Sequence, residues 1–123
     1  MISGDVIRGV IDILVLECVW DEPSYGYAIS KHIENRAEGR YSIKETTLYS
    51  AMRRLEEAGS LESFKGASET GRPRTYYRIT DSGRSFYIAR CQEWLATVDL
   101  VSLFIRNEEL SCCLLYTSLM ARG

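Results

Sequence analysis

Residues 42–80 decide the fold, and they read SIKETTLYSAMRRLEEAGSLESFKGASETGRPRTYYRIT. The first third predicts a short helix, because apolar residues recur at three- and four-residue steps and form one face. Gly59 marks the end of this helix, as a glycine just past the last turn often does. The apolar face is formed by Leu48, Ala51, Met52 and Leu55.

A β-hairpin is predicted directly after the helix. Residues 61–65 form one strand candidate, residues 66–71 are rich in turn formers, and residues 75–80 are dense in β-branched and aromatic residues. The hairpin region between residues 63 and 78 has four cations and one acid, although the whole chain has a net charge of −2. A local excess of cations is typical of a wing that lies along a phosphate backbone or a minor groove. An amphipathic helix or a basic turn alone is usually an ordinary solvent-exposed surface. The order of helix, glycine and hairpin with a basic tip is more specific and indicates a winged helix-turn-helix.

The flanking segments predict three more helices. Residues 4–20 have apolar residues on more than one side, so this helix should be covered on one side by its own domain and on the other by a second element or a second subunit. Tyr25–Arg36 is the next helix, and Ser24 can cap it. Thr80 is placed to cap a last helix that begins at Asp81.

The last helix carries a seam with heptad-like spacing, which predicts packing against a second copy of itself or against another helix, and pairing with the first helix of a twofold mate satisfies both. We therefore expect a mainly α-helical protein with a small β-hairpin, in which a long C-terminal dimerisation helix follows a winged helix-turn-helix. The predicted boundaries are 1–80 for the DNA-binding domain, 81–108 for the dimerisation helix and 109–123 for a tail without an assigned role. The seam consists of Tyr87, Cys91, Trp94, Val98, Val101 and Ile105.

Composition excludes several classes of protein. With 46% hydrophobic and 26% charged residues, the 123-residue chain resembles an ordinary soluble globular protein of one domain. No apolar run approaches the ~20 residues that span a membrane. No secretory signal pattern opens the chain and the cysteines have no metal spacing, so a reducing, cytoplasmic environment is expected.

Catalytic and metal sites are not expected either. His32 is the only histidine, and it has no cysteine or carboxylate at ligand spacing, so a partly packed helix residue is the commoner interpretation. The chain has no Ser/His/Asp set and no phosphate-cradling glycine loop. We therefore predict a protein that is not an enzyme and that has neither cofactor nor metal.

Three segments together resemble the PadR-type transcriptional regulators. They are SYGYAIS (residues 24–30), ETTLYSAMRRLEEAG (residues 45–59) and GRPRTYYRITDSG (residues 71–83), and the similarity extends over about residues 4–107. The resemblance implies a winged helix-turn-helix with a C-terminal dimerisation helix. It also implies a homodimer that binds a palindromic operator in double-stranded DNA, most often as a repressor. The alternative is a winged-helix module that binds other proteins and no DNA.

These expectations name two sets of residues. In the DNA-binding set, a tyrosine hydroxyl at the start of the second helix can touch a phosphate, the 42–59 helix faces the major groove, and the wing grips the backbone or the minor groove. The DNA-binding set is Tyr25, Thr46, Thr47, Tyr49, Ser50, Arg53, Lys65, Arg72 and Arg74.

The second set concerns a planar aromatic or phenolic effector. The resemblance implies that Trp94 matches a drug-stacking tryptophan of a multidrug-binding member of the family, whereas a tryptophan on a heptad seam is more usually core. Apolar neighbours on the seam and on the first helix offer a lining for such a ligand. The effector set is Ile11, Val15, Cys91, Trp94 and Val98.

Overall fold

The computed structural model describes residues 2–110 of the chain. It confirms a mainly helical protein with a two-stranded antiparallel hairpin and a long C-terminal helix. Beyond residue 110, the predicted tail 109–123 lies outside the described residues. The elements are α1 (Gly4–Arg8), α2 (Ile11–Cys18), α3 (Gly26–Arg36), α4 (Glu45–Glu57), β1 (Leu61–Ala67), β2 (Pro73–Ile79) and α5 (Asp81–Ser102).

The prediction of one helix over residues 4–20 is wrong, because the chain breaks it at Gly9 and Val10. Gly9 ends α1 and donates its backbone N–H to the carbonyl of Ile7, while Val10 takes a non-helical backbone conformation with φ −128°. Glycine in a helix interior is about 1 kcal/mol less favourable than alanine, so a break at this position is inexpensive. The break lets α2 enter the core independently of α1.

The core lies where α2, α3 and α4 meet the start of β1. The predicted apolar face of α4 is confirmed, since all four of its residues are buried. Gly59 follows α4 with φ +83°, a conformation that side chains rarely adopt, and it turns the chain into β1. The largest fully buried side chains are Leu16, Ile29, Leu48, Met52, Leu61, Val15 and Val19.

The hairpin is tied to the start of α3. Its strands pair from Leu61 opposite Ile79 to Ala67 opposite Pro73. Ser24 forms an isolated antiparallel β-bridge with Tyr77 of β2. Its N–H donates to the Tyr77 carbonyl (3.0 Å), and its carbonyl accepts from the Tyr77 N–H (2.7 Å). The predicted capping of α3 by Ser24 is therefore wrong. The N-cap is the next residue, whose side chain makes no capping hydrogen bond.

The start of α5 is fixed beside the end of α4. The predicted Thr80 cap is confirmed, since its hydroxyl oxygen accepts from the Gly83 N–H (3.0 Å). The hydroxyls of Thr80 and Ser82 donate to the Gly59 carbonyl at 2.6 and 2.9 Å. A Cβ at Gly83 would lie 2.2 Å from the carbonyl oxygen of Ser60, so the helix approaches this turn as closely as a glycine allows.

The chain divides into two compact units, Met1–Gln92 and Glu93–Gly123. The first unit includes the opening turns of α5, because Phe86 and Tyr87 pack against the core. The division therefore falls within α5, whereas the boundary predicted at residue 80 coincides with the beginning of that helix. Among the described residues, no helix combines the length and the apolar character needed to cross a lipid bilayer.

Candidate nucleic-acid interface

The exposed face of α4 carries all five residues predicted to face the major groove. Its buried face packs into the core, and this fixes the opposite face toward solvent. Thr46, Thr47, Ser50 and Arg53 are exposed, and Tyr49 retains 42% of its surface. Hydroxyl groups and an arginine on one helix face can read base edges in a major groove.

Two adjacent arginines of α4 have different environments. Arg54 forms an ion pair with Asp12 of α2, and the Asp12 side chain is only 13% exposed. Arg53 makes no ion pair within residues 2–110. Arg54 thus joins two helices of the core, whereas the charge of Arg53 is available to a ligand.

Arg74 of the wing is held by aromatic rings. Its guanidinium lies 3.7 Å from the centroid of the Tyr25 ring, and its Nη1 lies 3.5 Å from the Tyr76 hydroxyl oxygen. The rings of Tyr25 and Tyr76 meet edge to face at 5.7 Å. The Tyr76 hydroxyl donates to the carbonyl of Ala67 across the hairpin (3.2 Å). These contacts restrict the guanidinium before any ligand arrives, which lowers the entropy cost of binding one.

The other cations of the wing are not equivalent. Arg78 forms an ion pair with Glu62 (2.9 Å) and lies 4.9 Å from the centroid of the Phe64 ring. Lys65 donates to the hydroxyl of Thr75 (2.7 Å), and Arg72 is exposed beside the turn of the hairpin. Within the described part of the chain, no acidic group pairs with Lys65, Arg72 or Arg74.

A cleft of about 580 Å³ lies where α4, the start of α3 and the wing converge. A Cβ at Gly26 would lie 2.3 Å from the hydroxyl oxygen of Tyr49, so this glycine makes room for the Tyr49 ring. Burial raises the pKa of the Tyr77 phenol, and Glu56 and Tyr49 raise it further, so this phenol stays protonated at neutral pH. The cleft is lined by Tyr25, Gly26, Tyr27, Tyr49, Arg74, Thr75 and Tyr77.

The structure therefore brings Tyr25, Tyr49 and Arg74 of the predicted DNA-binding set into one cleft. Thr75 and Tyr27 also line it, but the predicted set does not include them. Tyr27 lies two residues after Tyr25 in the SYGYAIS segment, and this spacing could have indicated that both tyrosines line the cleft. Phenolic hydroxyls beside a fixed guanidinium can donate hydrogen bonds to phosphate oxygens.

The predicted effector residues lie in two environments. In the first unit, Ile11 and Val15 are buried in the hydrophobic core, and Cys91 is half-buried. In the second unit, Trp94 and Val98 each retain 40% of their surface.

Comparison with known proteins places these features in a family. The model of the PadR-like family of transcriptional regulators matches residues 15–88, more than half of the chain. The solved structure of a transcriptional regulator from Clostridium thermocellum is 46% identical, with a TM-score of 0.78 over 84% of this chain and all of that one. A PadR family regulator from Eggerthella lenta is 34% identical, with a TM-score of 0.72 over 81% of this chain and 85% of that one. A protein of Lysinibacillus sphaericus is 36% identical over 109 residues, which are 89% of this chain and all of the relative.

Proposed function

This chain belongs to the PadR-like family of transcriptional regulators, and we propose that it is a homodimeric repressor that binds a palindromic operator and responds to a small molecule. The observation that carries the DNA-binding part is a set of four cations on α4 and the wing that form no ion pair with an acidic group within residues 2–110. Arg53 projects from α4, while Lys65, Arg72 and Arg74 line the wing. Cations that are not neutralised by the protein's own acids can replace the counterions of a DNA duplex.

The two elements would divide the work of recognition. Thr46, Thr47, Tyr49, Ser50 and Arg53 of α4 would enter the major groove, where each base pair presents a distinct pattern of donors and acceptors. The wing cations would contact phosphates or the minor groove and would fix the orientation of α4. Tyr25 would act on DNA mainly by holding the Arg74 guanidinium in place.

Dimerisation is supported by the exposed apolar residues of the second unit. A helix that exposes many large apolar side chains is poorly suited to stand alone in water, and a second copy of the same helix is the simplest partner for a heptad-like seam. On α5 the exposed apolar residues of this unit are Trp94, Leu95, Val98, Leu100 and Val101, and those that follow the end of α5 are Leu103, Phe104, Ile105 and Leu110.

A charge in the seam tests the dimer. Val98→Glu should give monomers in light scattering and should weaken binding to the operator, since two half-sites could no longer be engaged together. Gln92→Glu adds a charge to α5 off the seam and should leave the dimer intact. A monomeric parent protein at micromolar concentration, or a Val98→Glu variant that stays dimeric, would rule out this assembly.

The effector proposal rests on Trp94. Its half-exposed ring, near Val98 on the same helix, offers an aromatic face to a planar aromatic or phenolic compound. Titration with planar aromatic cations and phenolic acids should quench tryptophan fluorescence and change operator affinity, through a coupling of about 1–3 kcal/mol. Trp20 also emits, so the titration is repeated with Trp94→Phe. Equal quenching of the parent protein and the variant would mean that Trp94 is not the binding residue.

Operator binding itself is tested by selecting duplexes from a random pool and footprinting the winners. We expect an inverted repeat whose half-sites are one helical turn, about 34 Å, or a multiple of it apart. Affinity for an unrelated duplex should also fall steeply with salt, because each phosphate contact releases counterions. If no sequence is enriched and the salt dependence is flat, the protein is instead a winged-helix module that binds other proteins. Placing the selected site across a promoter in a reporter then distinguishes a repressor from an activator.

A further inference from the structure

Three side chains that could bind a metal meet between α2 and α3, away from the DNA-binding cleft. The Nε2 of His32 lies 2.8 Å from Oε2 of Glu17. The Sγ of Cys18 joins them, and the three potential ligand atoms all lie within 4.8 Å of one another. We propose that Glu17, Cys18 and His32 form a binding site for a divalent transition-metal ion of the zinc type.

The mixture of donor atoms selects the kind of metal. A thiolate, an imidazole and a carboxylate together suit a borderline ion such as Zn²⁺, whereas Mg²⁺ and Ca²⁺ prefer oxygen ligands alone. Three protein ligands leave the fourth tetrahedral position to water or to a small ligand. Coordination replaces the thiol proton, which passes to the buffer, so the site releases a proton when it binds the ion.

The geometry requires only small adjustments of side chains. Zinc bonds of about 2.0–2.3 Å place tetrahedral ligand atoms about 3.5 Å apart. The Glu17 and His32 atoms must therefore separate slightly from their hydrogen bond, while the cysteine sulfur moves toward them by about 1 Å. The Cys18 thiol now donates to the carbonyl of Leu14 (3.1 Å), a weak hydrogen bond that a metal–sulfur bond outweighs.

Access to the site is available from one side. A groove of about 360 Å³ in the first unit is bordered by Glu17 and His32, and its other walls are mostly apolar. The His32 side chain is 44% exposed, so an ion can reach it from solvent. A water ligand would have room on this side.

Arg36 opposes the ion, and this provides a matched control. Its Nε lies 3.8 Å from Oε1 of Glu17, and its side chain is mostly exposed. An exposed ion pair of this kind contributes little and can open toward solvent. Arg36→Gln removes a neighbouring positive charge and should leave metal affinity unchanged or raise it, whereas Glu17→Gln should lower it.

The experiment uses Co²⁺ as a spectroscopic probe and Zn²⁺ as its competitor. The 123-residue chain is used with Cys112 and Cys113 replaced by serine, so that these thiols do not bind the probe. One equivalent of Co²⁺ should produce a thiolate-to-cobalt charge-transfer band in the near ultraviolet, and Zn²⁺ should abolish it. Cys18→Ser should remove the band, while Cys91→Ser should preserve it.

Two further variants keep the proposal decidable if Cys18→Ser fails to fold. His32→Gln and Glu17→Gln change side chains that lie partly in solvent, and each should lower the affinity for Co²⁺ about tenfold or more, since even partners outside the ligand set typically matter by 10–100-fold. The proposal is overturned if no band forms, or if Cys91→Ser removes it. It is also overturned if both His32→Gln and Glu17→Gln bind Co²⁺ like the parent protein.

Discussion

The contact between Arg74 and Tyr25 makes a quantitative prediction about DNA binding. If the Arg74 guanidinium meets a phosphate, Arg74→Ala removes one released counterion, and the slope of log affinity against log salt should become shallower by about 0.9. Over a fourfold change, from about 50 to 200 mM salt, one contact corresponds to a factor of about 3.5 in affinity. The loss caused by Arg74→Ala should therefore be about 3.5 times larger at the lower salt concentration.

Tyr25 should act on DNA mainly through Arg74. The guanidinium lies 3.7 Å from the Tyr25 ring centroid, and a cation–π contact near the surface contributes about 0.5–1 kcal/mol. Tyr25→Ala should then weaken DNA binding roughly two- to fivefold, because the unbound guanidinium loses its preferred position. In the Arg74→Ala background, Tyr25→Ala should have much less effect, so the two losses should not add.

Fluorescence anisotropy with a labelled duplex of random sequence measures these effects across a salt series. Arg78→Ala is the matched control, because Arg78 lies on the same strand but is paired with Glu62 at 2.9 Å. Its removal should leave the salt slope nearly unchanged. Thermal unfolding of every variant shows whether the hairpin remains folded.

Three outcomes would refute this reasoning. The first is an unchanged salt slope in Arg74→Ala, which would mean that the guanidinium does not meet phosphate. The second is an equal change in Arg78→Ala, which would mean that the ion pair does not decide which arginine is available. The third is additivity of the Tyr25→Ala and Arg74→Ala losses, which would mean that Tyr25 acts independently of Arg74.

Three further predictions concern α4, the cleft and the buried thiol. Arg53→Ala should weaken binding to the operator by about 1–3 kcal/mol if Arg53 reads a base. Arg54→Ala should mainly lower thermal stability, because this change breaks the ion pair with Asp12 of α2. Fluorescence anisotropy and thermal unfolding of both variants test this difference, and the reverse pattern would contradict it. Gly26→Ala should displace the Tyr49 ring, because the Tyr49 hydroxyl would lie 2.3 Å from the new Cβ. This variant should weaken DNA binding but change the free energy of unfolding by at most about 1 kcal/mol, since the exposed ring can turn into solvent. Unchanged DNA affinity would exclude a role for the ring position. Burial raises the pKa of Cys18 from 9.0 to about 12, so the folded state favours the neutral thiol. The resulting contribution to stability should be present below pH 9 and should decline as the pH rises from 9 toward 12. Alkylation of this thiol at pH 8 should be roughly a thousandfold slower than in unfolded protein, and equal rates would refute its burial.

Local patterns in the sequence predicted most of the fold. The apolar spacing of Leu48, Ala51, Met52 and Leu55 predicted both the helix and its buried face, because helical periodicity is a property of neighbouring residues. The turn at Gly59 and the hairpin after it were predicted for the same reason, since a positive φ and β-rich strands leave local signatures. The break at Gly9 was missed, because the apolar pattern of residues 4–20 continues across it.

What only the tertiary structure decided is which charged groups find partners. Nothing in the sequence pairs Arg54 with Asp12, because Asp12 is forty-two residues away along the chain and adjacent to it only in space. The same holds for Arg74, whose ring partner Tyr25 belongs to another element, and for His32, whose neighbours Glu17 and Cys18 lie across the turn between α2 and α3. Periodicity reports which face of an element is buried, whereas the packing angle between elements brings distant side chains within hydrogen-bonding distance. That angle depends on how all the buried side chains fit together, which residue types and their spacing do not specify. Residue types and spacing therefore indicated a DNA-binding surface, whereas the fold decided which cations on that surface remain available to DNA.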